Sequence, residues 1–212
     1  KERDGGTGVT TGEQTPEPGV QLPGVSAWYG IRYARADRFR APQRVDWEPT
    51  ADHSVFGAAP MQTIDPNLPL GADRAEDCHF LNVWAPADAS DEPLPVYVAV
   101  YGGGFEHGAG SSWPLDGSAL ARTGRVIVVS LNYRVGVLGF LSLNTVGDAF
   151  PDAHNLGLQD VIAALGWIRD NISRFGGDPN RVSVVGESAG GFIAAALLAA
   201  PAADGLFQRV AV

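Results

Sequence analysis

Residues 181–191, RVSVVGESAGG, decide the fold of this chain. The stretch begins with apolar, β-branched residues typical of a buried strand, and the alanine-rich segment after it is typical of a helix. Ser188 lies between the two in the pattern G-x-S-x-G. A very tight strand-to-helix turn lifts a serine hydroxyl off the backbone, and Gly186 and Gly190 let the strand and the helix pass close together. Ser188 is therefore a candidate nucleophile, and the helix that begins at Ala189 directs unpaired backbone N–H groups toward it.

The five-residue pattern alone is a weak indicator, because 27 of the 212 residues are glycine. The surrounding segments strengthen it. Near-continuous apolar runs at 96–101, 126–131 and 182–185 predict strands buried on both faces of a parallel sheet. Apolar residues recur every three or four positions over 158–175 and predict an amphipathic helix. Strands alternating with helices indicate an α/β fold with a mostly parallel sheet and flanking helices.

The remaining segments are less regular. Residues 1–27 are rich in Gly, Thr, Glu and Pro and predict a loose segment or an edge hairpin. Residues 28–34 suggest a surface segment without much regular structure, and residues 43–75 suggest loop. The alternation over 78–86 predicts a strand. Residues 207–212 resemble the opening of a further buried strand.

Composition excludes several classes of protein. A chain of 212 residues that is 45% hydrophobic can bury a core, and one domain spanning 1–212 is the natural prediction. The net charge of −9 and the single lysine argue against nucleic acid or an anionic membrane as a partner. No apolar run is long enough to span a membrane. Cys78 is the only cysteine, so we expect a free, buried thiol.

The first residues do not indicate a compartment. Residues 1–20 contain no apolar signal core, so the sequence does not distinguish a cytoplasmic from a secreted protein. The chain begins with Lys1 rather than Met. We therefore expect that the true start of the protein is missing or was removed.

A glycine motif follows the strand predicted at 96–101. Attack of a serine on an ester creates a tetrahedral oxyanion, which needs N–H donors already in place. Three consecutive glycines, at 102–104, let backbone N–H groups turn inward without a Cβ in the way. We expect N–H groups of these glycines, together with that of Ala189, to form an oxyanion hole. No metal or organic cofactor is needed for this chemistry.

The chain resembles the type-B carboxylesterases, the family of cholinesterases, liver carboxylesterases and bacterial para-nitrobenzyl esterases. The resemblance implies an α/β-hydrolase fold with Ser188 as nucleophile and with the N–H groups of Gly103, Gly104 and Ala189 as oxyanion donors. Glu187 resembles the pocket glutamate of the family, although a hydrogen-bonded spacer that steadies the turn is an equal reading. The matching motifs occur in the family's order at 30–34, 76–84, 102–105, 132–136, 139–141, 155–158, 175–179 and 186–190.

The sequence departs from the family in its catalytic triad. An α/β-hydrolase triad appears in the order Ser, then Asp or Glu, then His. The 24 residues after Ser188 contain no His, and Asp204 is their only acid. We therefore expect an incomplete α/β-hydrolase fold, truncated after the elbow helix and lacking the triad acid and His. Of the four histidines only His107, close to the glycine motif, could lie near the pocket, and it is a weak candidate base.

Two buried or bridging ion pairs follow from the family pattern and from charge logic. We expect Arg38 to pair with Glu76, and Arg134 with Asp160, because a buried Arg without its carboxylate is costly. His79 stands where the family usually has Leu. It is interpreted as a tolerated strand residue.

The resulting hypothesis is a carboxylic ester hydrolase that works through Ser188 and an acyl-enzyme intermediate. Its partner is a small-molecule ester, and the chain alone is expected to be inactive. A missing C-terminal half, supplied in cis or in trans, would complete it. The alternatives are a lipase- or lactonase-type hydrolase of the same fold and a non-catalytic cholinesterase-like binding or adhesion domain. Retention of Ser188 and of the glycine motif argues against the binding domain.

Overall fold

The computed structural model describes residues 16–63, 69–88 and 92–212, and its centre is a seven-stranded sheet. The sheet order is β1-β2-β7-β9-β8-β10-β11. Two short two-stranded ladders, β3-β4 and β5-β6, lie outside it. The strands are β1 Val20–Leu22, β2 Val25–Arg32, β3 Ala34–Arg35, β4 Gln43–Arg44, β5 Ala59–Pro60, β6 Arg74–Ala75, β7 Phe80–Pro86, β8 Leu94–Val100, β9 Ile127–Leu131, β10 Gly177–Gly186 and β11 Arg209–Ala211.

The sheet is mixed, and its parallel half carries the glycine motif and the serine turn. Strands β9, β8, β10 and β11 are parallel neighbours. Strands β1, β2 and β7 join them through antiparallel pairings, so that β2 points the same way as the parallel four. Five of the seven strands therefore run in one direction. The mostly parallel α/β sheet predicted from the apolar runs is confirmed.

The helices flank the sheet. The predicted amphipathic helix is confirmed as α3, which continues into a 3-10 turn, and Gly176 ends it in the left-handed conformation with φ 81°. Glycine is favoured there because it has no Cβ to clash. The α-helices are α1 Ser118–Ala121, α2 Gly136–Phe140, α3 Leu156–Asn171 and α4 Ala189–Leu197, and the 3-10 turns are Trp113–Leu115, Ile172–Phe175 and Pro201–Ala203.

Two hydrophobic clusters cover the two faces of the sheet. The larger one joins alternate side chains of the central strands to α3 and α4. The smaller one joins the opposite side chains of β2, β7 and β9 to α1. Both faces of β9 are therefore covered, which explains why this strand is apolar apart from the buried Ser130 rather than alternating.

The prediction for residues 28–34 was wrong. This segment forms most of β2, which pairs with both β1 and β7 inside the sheet. Trp28 is buried and meets Phe175 edge to face, with 5.0 Å between ring centroids. The pairing with β7 shifts register between Trp28 and Ile31, where Gly30 has a φ of 62°. This bulge interrupts the period-2 pattern by which a strand is recognised in sequence.

The other irregular segments are closer to expectation. Residues 43–75 are mainly loop, with the two-residue strands β4, β5 and β6 at intervals. Strands β1 and β2 form an antiparallel hairpin at the sheet edge, and the rest of the 1–27 prediction, residues 1–15, lies outside the described residues. Strand β10 begins five residues before the predicted run, because Gly177 already pairs with Leu94.

Both predicted ion pairs are confirmed. The Nε of Arg38 donates to Glu76 at 2.9 Å on the surface. Arg134 donates hydrogen bonds to the carboxylate of the fully buried Asp160 from its backbone N–H, Nε and Nη2, at 2.8 to 2.9 Å. The interpretation of His79 as a merely tolerated strand residue was wrong: it precedes β7, it is fully buried, and its Nε2 lies 3.1 Å from Asp160 Oδ1. A residue 81 positions away, invisible to local pattern, supplies its partner.

Cys78 is a free, buried cysteine, as predicted. Burial raises the pKa of its thiol well above the usual range, so the sulfur stays protonated and unreactive. Within the described ranges, no cluster of three or more His, Cys, Asp or Glu side chains could hold a metal ion. No helix in that same part of the chain is long and apolar enough to cross a bilayer.

Candidate active site

Ser188 occupies the turn between β10 and α4. Its backbone has φ 52° and ψ −120°, a conformation that a residue with a Cβ rarely adopts. Strain of this kind persists only where the surrounding structure enforces it, and it is concentrated at functional sites. The side chain is exposed. The turn therefore presents Ser188 to solvent at the carboxyl end of β10, a strand with parallel neighbours on both sides.

Two glycines make this turn possible. A Cβ on Gly186 would overlap the carbonyl of Gly190, and a Cβ on Gly190 would overlap the carbonyl of Val100 at the end of β8. The same Cβ would lie only 2.6 Å from the carbonyl oxygen of Tyr101. Strand β10, helix α4 and the end of β8 thus meet at backbone contact distance, which glycine alone allows.

The glycine motif lies directly against the serine turn. A Cβ on Gly102 would be 3.0 Å from the Cβ of Ser188 and would overlap the carboxylate of Glu187. Gly103 and Gly104 follow with φ values of 110° and 62°. Because both lie in the region that favours glycine, the loop can turn its N–H groups in directions closed to other residues.

Three backbone N–H groups, two in the glycine loop and one at the start of α4, are relevant to oxyanion binding. In the hydrogen bonds that the structure shows between described residues, the N–H groups of Gly103, Gly104 and Ala189 donate to no acceptor. Ala189 is the first residue of α4, so its N–H belongs to the unpaired donors at the positive end of a helix. These are the three donors that the sequence predicted for an oxyanion hole.

A cavity of about 530 Å³ opens beside the glycine motif, and both Glu187 and His107 line it. The Glu187 carboxylate is packed against Gly102, and the His107 ring lies close to Gly103. The other residues that line the cavity are mainly apolar or aromatic, and they include Tyr97. The cavity thus adjoins the residue before Ser188, although Ser188 itself does not line it.

The remaining histidines lie elsewhere. The ring nitrogens of His53 are 3.3 Å from the carbonyls of Tyr29 and Glu48, and His79 binds Asp160 as described. His154 is exposed in the turn before α3. Asp204 is also exposed and follows the 3-10 turn beyond the far end of α4.

Sequence reasoning missed a tyrosine pair behind the glycine motif. Tyr101 and Tyr133 stack with 4.2 Å between ring centroids, and each hydroxyl donates to the backbone carbonyl of the other residue, at 2.6 and 2.9 Å. Tyr133 lies in the segment N-Y-R-V-G, which the sequence marked as a family motif without assigning a role to it. Only the fold brings the two tyrosines together.

The fold and the site define a class of protein before any comparison: an α/β fold in which a serine occupies a tight strand-to-helix turn beside a glycine loop. Comparison with known proteins then identifies the family. The model of the carboxylesterase family matches residues 5–212, and the chain belongs to that family.

Individual relatives support this membership. Para-nitrobenzyl esterase of Bacillus subtilis (strain 168) is 47% identical over 95% of this chain and 42% of its own length. Fumonisin B1 esterase of Sphingopyxis macrogoltabida is 44% identical over 80% of this chain and 32% of its own. Acetylcholinesterase of Danio rerio is 40% identical over 87% of this chain and 31% of its own.

Solved structures agree with the sequence comparison. A thermophilic PNB esterase superposes with a TM-score of 0.84 at 45% identity, over 94% of this chain and 44% of that chain. A second PNB esterase structure gives a TM-score of 0.85 with a similar coverage. The chain therefore spans less than half the length of the relatives that it matches.

Proposed function

We propose that the protein to which this chain belongs is a serine carboxylesterase. Ser188 Oγ attacks the carbonyl carbon of an ester, and its proton passes to a histidine base. The C–O bond to the alcohol then breaks, the alcohol leaves with that proton, and an acyl-enzyme forms. Water attacks the acyl-enzyme in the second step, which releases the carboxylic acid and restores the Ser188 hydroxyl.

One observation carries this proposal: the strained backbone of Ser188 at the start of α4, held directly against Gly102. It supports a site in which the nucleophile faces the N–H groups of Gly103, Gly104 and Ala189, which donate to no acceptor in the hydrogen bonds between described residues. These donors stabilise the negative charge that develops on the carbonyl oxygen as the tetrahedral intermediate forms.

The triad acid and His are proposed to come from strands beyond those of this chain, in cis or in trans. The relatives are more than twice as long as the region they share with it. None of the four histidines is offered as the triad base. His107 lines the cavity, but its loop is the glycine loop itself, which would have to place both the base and the oxyanion donors.

The substrate is proposed to be a small-molecule ester, and Glu187 is proposed as a residue of the pocket that receives it. The similar proteins include a para-nitrobenzyl esterase, a fumonisin B1 esterase and acetylcholinesterases, names that describe different esters. Their shared feature is the carboxylic ester bond. The proposal therefore concerns this bond and not a particular acid or alcohol.

Labelling with a fluorophosphonate tests the proposal. The intact protein should be labelled at Ser188, and Ser188→Ala should abolish labelling. Ser183→Ala, five residues earlier in β10, is the matched control and should leave labelling intact. Failure of the intact protein to label would instead favour a binding or adhesion domain.

The same probe locates the base. The 212-residue chain alone should label slowly or not at all, and addition of the remaining part of the protein as a separate polypeptide should restore labelling. Rapid labelling of the chain alone, lost in His107→Ala, would overturn the assignment of the base to a distant segment.

A further inference from the structure

Tyr133 joins the glycine loop to the rest of the fold, and it is not part of the nucleophile, the oxyanion donors or the pocket. We propose that Tyr133 is a positioning residue, whose hydroxyl holds the Tyr101 carbonyl, and with it the glycine loop, against the nucleophile elbow. The inference rests on the proposed esterase function, since it concerns the geometry of that site.

The Tyr101 carbonyl is the central contact. Its oxygen accepts the Tyr133 hydroxyl at 2.9 Å, and a Cβ on Gly190 would stand only 2.6 Å from it. The same oxygen therefore faces the elbow helix and the tyrosine. The peptide plane of this carbonyl leads directly into Gly102, so a shift of this plane displaces the following N–H groups of Gly103 and Gly104.

Residues 133–136 also form a hydrogen bond with the other end of the glycine loop. Gly136 donates its N–H to the carbonyl of Phe105 at 2.6 Å. Residues 133–136 thus contact the loop on both sides, at Tyr101 before the glycines and at Phe105 after them. This segment is itself anchored, because the adjacent Arg134 binds the buried Asp160 of α3.

The loop needs such support because it is made of glycine. Three glycines reach the conformations that aim N–H groups inward, but glycine also has the largest backbone freedom of any residue. An oxyanion hole works only when its donors are already in position before charge develops. The tyrosine pair supplies from outside the loop the rigidity that its own sequence lacks.

The hydroxyls of Tyr101 and Tyr133 keep their protons. Tyr133 and Tyr101 are buried, and burial raises the pKa of both phenols well above the usual value. Each hydroxyl therefore remains a donor across the whole range in which an ester hydrolase operates. The reciprocal hydrogen bonds do not weaken with pH in that range.

The test compares two tyrosine-to-phenylalanine variants of the intact protein with a para-nitrophenyl ester as substrate. Tyr133→Phe removes the hydroxyl that binds the Tyr101 carbonyl. Tyr33→Phe is the matched control, since Tyr33 is equally buried and donates at 2.7 Å to the carbonyl of Asn132, which precedes Tyr133, and not to the carbonyl that leads into the glycine loop. Each variant loses one buried hydrogen bond, so both should lower Tm by a similar amount.

Only Tyr133→Phe should lose catalysis. We expect its kcat to fall about 10- to 100-fold with an unchanged KM, the effect of a small misplacement of groups that act in the transition state. Tyr33→Phe should keep the kcat of the parent. Equal kcat values for the two variants would show that Tyr133 is only structural, and would overturn the inference.

A third variant separates a specific loss of kcat from a general effect of lower stability. Tyr101→Phe leaves the bond to the Tyr101 carbonyl intact, but removes the hydroxyl that serves the backbone N–H and carbonyl of Tyr133. Tyr101→Phe should destabilise the protein more than Tyr133→Phe does, and it should lower kcat by a smaller factor. The reverse order would contradict the inference, whereas an inactive parent protein would contradict the proposed function instead.

Discussion

Single atoms decide whether the elbow can form. Gly190 lies under the carbonyls of both Val100 and Tyr101, so any side chain there would push α4 away from the end of β8. Gly191, the next residue, has its nearest neighbour, the Gly186 carbonyl oxygen, at 3.3 Å from where a Cβ would stand. Of these two adjacent glycines in α4, Gly191 can therefore accept a Cβ much more easily than Gly190 can.

Gly190→Ala should destabilise the protein and abolish fluorophosphonate labelling. We expect a loss of about 1 to 3 kcal/mol in the free energy of unfolding, because backbone atoms rather than a flexible side chain must move. Gly191→Ala is the control and should change stability by less than about 1 kcal/mol. Urea denaturation of both variants measures the difference, and equal losses would contradict the steric argument.

Asp160 is a second site where one residue matters. Burial by itself raises the pKa of its carboxyl, but hydrogen bonds from Arg134 and His79 outweigh burial and hold the pKa below the usual 3.8. A lowered folded-state pKa means that the folded state favours the ionised form. The resulting stabilisation is present above the unfolded-state pKa and disappears as the pH falls through the lower folded-state value.

Asp160→Asn should therefore flatten the acid limb of the stability profile. Near pH 7 it should cost about 3 to 5 kcal/mol, because Arg134 would be left buried without its counter-charge. Below pH 3.8 the gap between the variant and the parent should narrow. Thermal melts from pH 7 to pH 2.5 measure this, and a gap independent of pH would contradict the argument.

At the scale of elements, β2 links the edge strand of the sheet to the segment that leads to Ser188. It lies between the edge strand β1 and β7, and β7 connects it to the parallel strands. Its Trp28 reaches across the larger hydrophobic cluster to Phe175, at the end of the helical segment that precedes β10. Packing of β2 therefore supports the strand that leads to Ser188.

Trp28→Ala should cost about 3 to 5 kcal/mol, the usual penalty for removing a large buried aromatic side chain. Trp113→Ala is the matched control, because Trp113 is 76% exposed and its loss should change stability by less than about 0.5 kcal/mol. Chemical denaturation of both variants decides the point. A tolerated Trp28→Ala would show that β2 is dispensable.

At the scale of the whole molecule, the segments at and after α4 expose several apolar side chains. Phe192 and Leu198, on and just after α4, are 73% and 69% exposed, and Val212 after β11 is 82% exposed. Strand β11 is the last strand of the sheet and pairs on one side only. Exposed apolar surface beside an open strand edge favours association.

The isolated 212-residue chain should therefore associate despite its net charge of −9. We expect sedimentation to show oligomers or aggregates, and the double variant Phe192→Gln, Leu198→Gln to increase the monomer fraction several-fold. Val55→Gln serves as the control, because Val55 is also exposed, at 62%, but lies in the loop between β4 and β5. A monodisperse parent chain with one cooperative melt would contradict this prediction.

The sequence by itself determined what depends on neighbours along the chain. Apolar runs indicated the central strands, a repeat of three to four residues indicated α3, and glycine spacing around Ser188 indicated the tight turn. The ion pair of Arg134 with Asp160 was also accessible, through the family pattern and the cost of burying an unpaired charge. These features are local, or are fixed by strong chemical constraints.

Only the tertiary structure decided which distant segments meet. Trp28 is in a strand interrupted by a bulge, His79 shares the carboxylate of Asp160, and Tyr133 holds a carbonyl 32 residues before it. Periodicity records which face of an element is buried, but not what lies against that face. The partner is selected by the packing of the whole chain, and so the support of the glycine loop became visible only when β8 and the segment after β9 lay side by side.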